Sequence, residues 1–526
     1  MSESVDWGAY VQDSHNKYVQ RYLAYTDAHK NPTGHDYDAL ECEHPAIINA
    51  MERTYQDEEW GQFRRFVSIL CDSANGYLSV RGHWGLLRSK LEEALRTAEA
   101  QDIRAEVGII SSNLAAVLKN SGELAAARLA SQRALSIFEE LGYRASQTKA
   151  LTQLGAVALD TGDYGESQRY FQQALEIVDE LKVQTATTSQ PLHELARRAS
   201  SVPLHELGRL AQARGDYSEA KRFFQQSLNI KEELGDRKEV AQTLHHLGMV
   251  AQLMGDYGEA RRFYQQSLDI FKELGDKLGI AITSHQFGTI SIVTGNYSEA
   301  RRLYQLCLSS YEMLGSRLGI ASALHQLGGL ALVSGDYAES QRFYQQSLNL
   351  SKELEYKVGM ARSLHELGRV AQARRDYGEA KRFFQQSLTI KEELGDLTDV
   401  AATLGELASL ADDEGDSNEA EQLFRQVLVM SKETGDLLSE GIVSFNLGLL
   451  CEGQFRLDEA LFYLERAVEI SEQIDFSEGA YWREILMRVH LQMQPGCAGW
   501  LARRMTALGR ILNRITGSPT TRSQHI

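Results

Sequence analysis

The sequence predicts an all-α protein that forms a right-handed α–α superhelix. Three observations support this prediction. A Gly-Asp-Tyr motif recurs at a fixed interval, each copy separates two amphipathic helical segments, and the 526-residue chain contains only 6 prolines. A chain of this length is too long for one compact core, because single cores stop growing at about 250–300 residues. A two-helix unit cannot bury its apolar faces alone, whereas stacked copies can, so we expect a solenoid.

The repeat interval can be followed along most of the chain. From position 215 to position 455 each copy begins 40 residues after the previous one, and the step from 122 to 162 is also 40. The step from 162 to 215 is 53 residues, so 13 residues are inserted near 181–203. We expect this insertion either to loop out of the solenoid or to shift its superhelical phase.

One unit shows how the sequence specifies two helices. An apolar stripe at i, i+3, i+4 and i+7 marks the first helix of the unit, formed by Leu244, Leu247, Gly248 and Ala251. Gly255 then favours a left-handed helix end. Asp256 is positioned as the N-cap of the second helix, with Glu259 at capping-box spacing. We expect the backbones to approach closely where Gly248 and Ala260 lack bulk, with Tyr264 filling the space around this crossing.

These residues resemble the tetratricopeptide repeat. The motif reads Leu-Gly, then Ala twelve residues after the Gly, then an aromatic residue four later. It occurs as Leu247-Gly248, Ala260 and Tyr264, as Leu207-Gly208, Ala220 and Phe224, and as Leu367-Gly368, Ala380 and Phe384. The family repeat is usually about 34 residues. A 40-residue unit without the terminal proline is similar to kinesin light chain, and the resemblance covers roughly residues 105–475.

The N-terminal region, residues 1–104, shows the period poorly. We predict helices over 6–27, 45–54, 56–79 and 82–99 that form atypical repeats or a cap. Residues 40–50 and 77–84 resemble the linker that precedes the helical-repeat sensor of bacterial STAND regulators. The sequence contains no GxxxxGK[ST] phosphate loop. The resemblance therefore implies a sensor half without its NTPase.

The C-terminal region, residues 476–526, is predicted to hold capping helices and a basic tail. Five arginines and no acidic residues occur in 496–526, beside a helical apolar stripe. We consider two interpretations. One is a capping helix with a frayed end, and the other is a basic amphipathic helix that docks onto a partner or a membrane surface.

A ladder of histidines gives the candidate binding residues. One histidine occupies the fifth position of the first helix in five consecutive repeats, a position that in the tetratricopeptide family lines the concave surface. With the residues four and seven positions further on, the predicted partner-binding set is His205, Arg209, Gln212, His245, Met249, Gln252, His285, Ile292, His325, Leu332, His365, Arg369 and Gln372. Thr289 and Gly329 occupy the position four residues after the histidine in the two middle repeats. The predicted groove is basic at both ends and more apolar in the middle, which suits a peptide with an apolar centre and acidic flanks.

An alternative interpretation of the ladder is duplication without function. Residues 204–235 and 364–395 are nearly identical, and recent duplication copies every residue. Metal binding by the ladder is not expected. Stacked helices lie about 8–10 Å apart, whereas a zinc ligand lies about 2.0–2.1 Å from the metal.

Composition narrows the function classes. The net charge of −17 argues against binding nucleic acid or an anionic membrane. No run of apolar residues is long enough to span a bilayer, the N-terminus does not resemble a signal peptide, and five scattered cysteines fit a reducing compartment. We therefore expect a cytoplasmic protein. We find no catalytic motif, no metal site and no cofactor-binding motif, so we do not expect an enzyme.

Three functional hypotheses follow. The first is a non-enzymatic scaffold that binds a protein or peptide partner on the concave face of the superhelix. The second is the ligand-sensing half of a STAND-type signalling or transcription regulator that lacks its NTPase. The third is a structural repeat protein that self-associates end to end.

Overall fold

The computed structural model confirms the all-α prediction. It describes residues 7–29, 40, 42–71, 78, 83–185, 190–474 and 476–493. Within these residues every regular element is a helix and no strand occurs.

In the described part of the chain, four helices precede the regular repeats. They are α1 (Trp7–Ala28), α2 (His44–Gln56), α3 (Trp60–Leu70) and α4 (Trp84–Ala100). The helix predicted over 56–79 is wrong in its extent, because α3 ends at Leu70 and residues 72–77 lie outside the described ranges.

Nine helix pairs follow in the described part of the chain, and a final helix packs after them. In chain order they are α5 (Arg104–Asn120), α6 (Leu124–Glu140), α7 (Arg144–Asp160), α8 (Tyr164–Thr185), α9 (Gln190–Ala213), α10 (Tyr217–Glu233), α11 (Arg237–Leu253), α12 (Tyr257–Leu274), α13 (Lys277–Val293), α14 (Tyr297–Met313), α15 (Arg317–Val333), α16 (Tyr337–Glu353), α17 (Lys357–Ala373), α18 (Tyr377–Leu394), α19 (Leu397–Glu414), α20 (Ser417–Thr434), α21 (Leu437–Gly453), α22 (Leu457–Gln473) and α23 (Gly479–Met493). Odd-numbered helices from α5 to α21 are the first helices of their repeats, and even-numbered helices are the second helices.

The chain divides into two compact units, Met1–Ala323 and Leu324–Ile526. The boundary falls within α15. Unit 1 contains α1 to α14 and the start of α15, and unit 2 contains the rest of α15 and the helices up to α23.

The predicted caps are present in the repeat formed by α11 and α12. Gly255 has a left-handed backbone conformation with φ of 79°. The side chain of Asp256 accepts a hydrogen bond from the backbone N–H of Glu259 at 2.9 Å, which satisfies an orphan donor of α12. Gly275 ends α12 with φ of 65°, and Asp276 caps α13 by accepting from the N–H of Gly279. These contacts confirm that the turn residues define both helix boundaries.

The close crossing of the two helices is also present. A Cβ atom added to Gly248 would lie 2.8 Å from the ring of Tyr264, which is too short for a carbon–carbon contact. Ala260 and Tyr264 are both fully buried. The glycine therefore allows the aromatic ring to lie directly against the backbone of the first helix.

The insertion lengthens a helix pair. Helix α8 has 22 residues and α9 has 24, whereas most repeat helices have 17 or 18. Pro203 lies inside α9. Residues 186–189 lie outside the described ranges, as does the predicted basic tail, since the description ends at 493.

Candidate functional site

The first helices form one surface in each unit, which we call the first-helix face. In unit 1, consecutive first helices from α5 to α13 have Cα atoms within 8 Å of one another, and in unit 2 the same holds for the pair α19 and α21. Consecutive second helices approach one another less closely. Closer spacing on the first-helix side is what a concave surface requires.

The ladder histidines lie against the aromatic residues of their own repeats. His205 contacts Phe224 with ring centroids 5.1 Å apart, and His365 contacts Phe384 at 5.4 Å. The same pairing joins His245 to Tyr264, His285 to Tyr304 and His325 to Tyr344. His205 and His245 are buried, and the other three are half-buried. The imidazoles therefore contribute to the core between the two helices of each repeat.

A hydrogen-bond network fixes His205. Its Nδ1 atom lies 3.2 Å from Oγ1 of Thr243, and Lys231 donates to the same oxygen at 3.0 Å. The only proton of the Thr243 hydroxyl is donated to the carbonyl oxygen of Glu239 at 2.8 Å. With that proton on the Glu239 carbonyl, Thr243 is an acceptor for His205, and this arrangement assigns the imidazole proton to Nδ1.

Burial keeps the histidines uncharged at neutral pH. Burial lowers the pKa of His245 to about 4 and that of His365 to about 4, and it also lowers the pKa values of His285 and His325. Removal from water disfavours the imidazolium form. The ladder therefore presents neutral rings, which cannot supply positive charge to a ligand at neutral pH.

The arginines of the predicted site are already paired with acidic residues. Arg209 donates to Glu206 at 2.8 Å and to Asp160 at 3.2 Å. Arg369 lies 3.3 Å from Glu366. Charge reversal at these positions would place a new carboxylate beside existing ones, so it is a poor probe of ligand binding.

The remaining predicted residues are half-buried on the same helices. They are Gln212, Met249, Gln252, Ile292, Leu332 and Gln372, together with Thr289 and Gly329. Tyrosine hydroxyls from the second helices reach several inner positions. Tyr264 donates to Oε1 of Gln252 at 3.2 Å, and Tyr304 bonds to Thr289 at 3.2 Å. Gln372 donates to Asp413 at 3.3 Å.

Sequence reasoning missed four exposed aliphatic residues beside this set. Their exposed fractions are 49% for Leu253, 41% for Ile282, 56% for Val293 and 57% for Val333. Leu253 and Val293 lie four residues after Met249 and Thr289, and Ile282 lies three residues before His285. This helical spacing puts them on the same helix face as the predicted residues. Including the positions three residues before and eight residues after each ladder histidine would have identified them.

The face of α11 and α13 in unit 1 carries no charged side chain between Gln242 and Leu253 or between Ile282 and Val293. In α11 its residues are Gln242, His245, His246, Met249, Gln252 and Leu253, and in α13 they are Ile282, His285, Gln286, Thr289, Ile292 and Val293. The preceding first helix has Glu206 and Arg209 at the corresponding positions, and α17 in unit 2 has Glu366 and Arg369. We call the surface on α11 and α13 the neutral patch.

The second helices carry a different pattern. Exposed arginines lie three residues after glutamates, as in Arg222 with Glu219 at 3.2 Å and Arg262 with Glu259 at 3.4 Å. These side chains form an i,i+3 ion-pair surface on the second helices. Across the described ranges, no group of three or more His, Cys, Asp or Glu side chains is arranged to hold a metal ion. No described helix is long and apolar enough to cross a bilayer.

Two family models match the sequence of this chain. The model described as tetratricopeptide repeat matches residues 106–180, 239–313, 319–393 and 399–473, and a second model with the same description matches 204–236. Together they cover more than half of the chain. The chain belongs to the tetratricopeptide repeat family. The resemblance identified from Leu-Gly, Ala and the aromatic residue is thereby confirmed.

Three solved structures are similar to this chain at low sequence identity. A putative kinesin light chain with nearly identical TPR-like repeats from Podosopora anserina is 20% identical, with a TM-score of 0.34 over 38% of this chain and 97% of that chain. A STAND protein with a tetratricopeptide repeat sensor from Pyrococcus horikoshii is 13% identical, with a TM-score of 0.47 over 69% of this chain and 55% of that chain. The apo form of the quorum sensor NprR from B. thuringiensis is 13% identical, with a TM-score of 0.48 over 71% and 99%. No curated protein matches this chain.

Proposed function

We propose that this chain is a non-enzymatic scaffold that binds a peptide segment of a partner protein on the first-helix face. The observation that carries the proposal is the neutral patch, where aliphatic side chains are exposed on a surface without charge. Charged residues make up 24% of the sequence and the net charge is −17. Depletion of charge and exposure of apolar groups distinguish the core of an interface from an ordinary protein surface.

The side chains of the neutral patch indicate which kind of peptide would bind there. Leu253, Ile282 and Val293 offer apolar contact to aliphatic side chains. The carboxamides of Gln242, Gln252 and Gln286 can donate to and accept from the backbone of an extended peptide. Because Tyr264 donates to Oε1 of Gln252, the Nε2 group of that side chain is the donor oriented away from the tyrosine. We expect an uncharged peptide segment with aliphatic side chains at its centre.

The acidic flanks that the sequence suggested are not part of this proposal. Arg209 is held by Glu206 and Asp160, so its charge is compensated within the protein. A ligand carboxylate would have to compete with both.

A selection experiment tests the proposal. A phage-displayed library of random 12-residue peptides is selected on the immobilised full chain, and recovered peptides are measured by fluorescence anisotropy. We expect peptides rich in Leu, Ile and Val. Their affinity should fall at least about tenfold for the double variant Leu253→Glu, Val293→Glu, because two carboxylates would be desolvated against apolar side chains.

A matched control changes the charge equally on the other side of the repeats. Gln226 and Gln266 are exposed on the second helices α10 and α12. The variant Gln226→Glu, Gln266→Glu should bind the selected peptides like the wild type. Equal loss of binding in both variants, or no loss in either, would remove the neutral patch as the binding surface. Thermal unfolding of each variant confirms that it is folded.

A further inference from the structure

Three imidazoles are in contact in unit 1. The ring centroids of His205 and His246 lie 4.9 Å apart, and those of His245 and His246 lie 5.7 Å apart. His205 belongs to α9, whereas His245 and His246 belong to α11. The cluster therefore spans the contact between two consecutive first helices.

The rings are enclosed by apolar and neutral groups. Phe224 stacks on His246 at 5.2 Å and meets His205 edge-on at 5.1 Å. The Nδ1 atom of His246 is buried and has no hydrogen-bond partner among the described residues. On the far side, His245 faces the hydroxyl of Thr283 at 3.2 Å and the ring of Tyr264 at 5.4 Å. Among the described residues, no acidic side chain is paired with any of these rings, so none of them is positioned to stabilise an imidazolium.

The charged groups around the cluster are mostly positive or already paired. Lys231 on α10, Arg209 on α9 and Lys119 on α5 disfavour a further positive charge at His205. The nearby anions are engaged: Glu239 pairs with Lys231 at 2.9 Å, Glu206 pairs with Arg209, and Asp160 lies between Arg209 and Lys119. Protonation would therefore add positive charge where no free carboxylate compensates for it.

We propose that the cluster of His205, His245 and His246 is a proton-sensitive contact, which holds α9 against α11 while the rings are neutral and opens when they are protonated. This proposal is independent of the peptide-binding function. It concerns a conformational response of unit 1 to pH, on helices that carry part of the first-helix face.

The direction of the pH response follows from linkage. Burial, together with nearby cations and the neighbouring imidazoles, lowers the pKa of His205 and of His246 well below 6.5, and burial lowers the pKa of His245 to about 4. In the opened state each pKa returns to about 6.5, so the opened state binds more protons. The closed state is therefore favoured above about pH 6.5 and loses stability as the pH falls. Between pH 7 and pH 5 each imidazole contributes roughly a 20-fold increase in the opening constant.

Hydrogen exchange of the full chain at pH 7 and pH 5, corrected for the intrinsic exchange rate, tests this proposal. The helices α19 to α22 serve as an internal reference, because residues 397–473 contain no histidine. We expect the opening constant of α9 and α11 to rise at least about 20-fold more than that of the reference helices. A difference below about threefold would overturn the proposal.

Two substitutions distinguish protonation of the histidine cluster from a general effect of acid on the protein. His246→Gln introduces the residue found 40 and 80 positions later, at Gln286 and Gln326, and should reduce the acid response of α9 and α11 by about 20-fold. Gln286→His places a third imidazole beside His245 and His285, and should create a similar response in α11 and α13. Melting curves at pH 7.5 establish that both variants are folded. An unchanged response in folded His246→Gln contradicts the proposal, whatever Gln286→His shows.

Discussion

Residues 204–235 and 364–395 have nearly the same sequence but lie in different electrostatic surroundings. Several of their buried contacts are the same. Lys231 donates to Thr243 at 3.0 Å and Lys391 donates to Thr403 at 2.8 Å, and in each case a histidine Nδ1 contacts the same threonine oxygen. The two copies therefore make the same buried contacts to a threonine of the following repeat.

The differences come from the neighbouring repeats. Lys231 pairs with Glu239 at 2.9 Å, whereas the shorter Asp399 lies 4.0 Å from Lys391. Arg209 has Asp160 as a second partner, but Val333 occupies the corresponding position for Arg369. The two copies therefore share buried contacts, while their charge environment depends on which acidic residues the neighbouring repeats supply.

The largest expected effects come from adding a methyl group where a first-helix glycine contacts a buried aromatic ring. A Cβ atom at Gly208 would lie 2.8 Å from the ring of Phe224, and one at Gly368 would lie 2.6 Å from the ring of Phe384. Each Gly→Ala change should destabilise its repeat by about 2–3 kcal/mol, because a buried ring must move. Denaturant unfolding checks this expectation, and a difference between the two variants above about 1.5 kcal/mol would contradict equivalent packing.

Gly405→Ala provides the control for that comparison. Gly405 lies within α19 and has no atom within 4 Å of an added Cβ. The substitution should leave stability unchanged or raise it by about 0.5–1 kcal/mol, because alanine favours the helix interior.

The buried lysines should differ in their response to Lys→Met. Burial lowers the pKa of Lys391, which indicates that its charge is poorly compensated in the folded state. Lys391→Met should therefore be neutral or stabilising by up to about 1 kcal/mol. Lys231→Met removes a closer ion pair and should lower the free energy of unfolding by about 1–2 kcal/mol. The loss is not larger because Glu239 is 20% exposed, so water can hydrate its carboxylate once the lysine is gone. Thermal unfolding of the two variants checks the order, and the reverse order would show that the carboxylate distance does not control the outcome.

The smallest expected effect comes from exchanging the carboxylates. Asp399→Glu should bring the carboxylate closer to Lys391, and Glu239→Asp should move it away from Lys231. Each change should alter stability by about 0.5 kcal/mol, in opposite directions, because Asp399 is 47% exposed and solvent screens the pair. Melting temperatures measured in high and low salt check the assignment, since the difference should shrink as salt rises.

Most of the fold follows from local sequence. The boundaries around Gly255, Asp256 and Gly275 were predictable because caps act within four residues of the chain. The crossing at Gly248 was predictable because the Gly and the aromatic residue recur in register. The lengthened helices near the insertion were not, because Pro203 lies inside α9, where a proline ordinarily disfavours helix.

The candidate site was predicted less completely. The positions of the histidines followed from the 40-residue period, but their neutrality depends on burial against rings such as Phe224. The paired state of Arg209 depends on Asp160, which is 49 residues earlier in the chain. The exposed aliphatic residues Leu253 and Val293 follow the helical period and were missed because only three positions per helix were considered.

We propose that a peptide binds the neutral patch on α11 and α13. Hydrogen exchange of the full chain at pH 7, with and without a saturating selected peptide, tests it most directly. We expect added protection in 237–253 and 277–293, with little change in the second helices α12 and α14. Protection confined to α12 and α14, or to the turns between first and second helices, would contradict it.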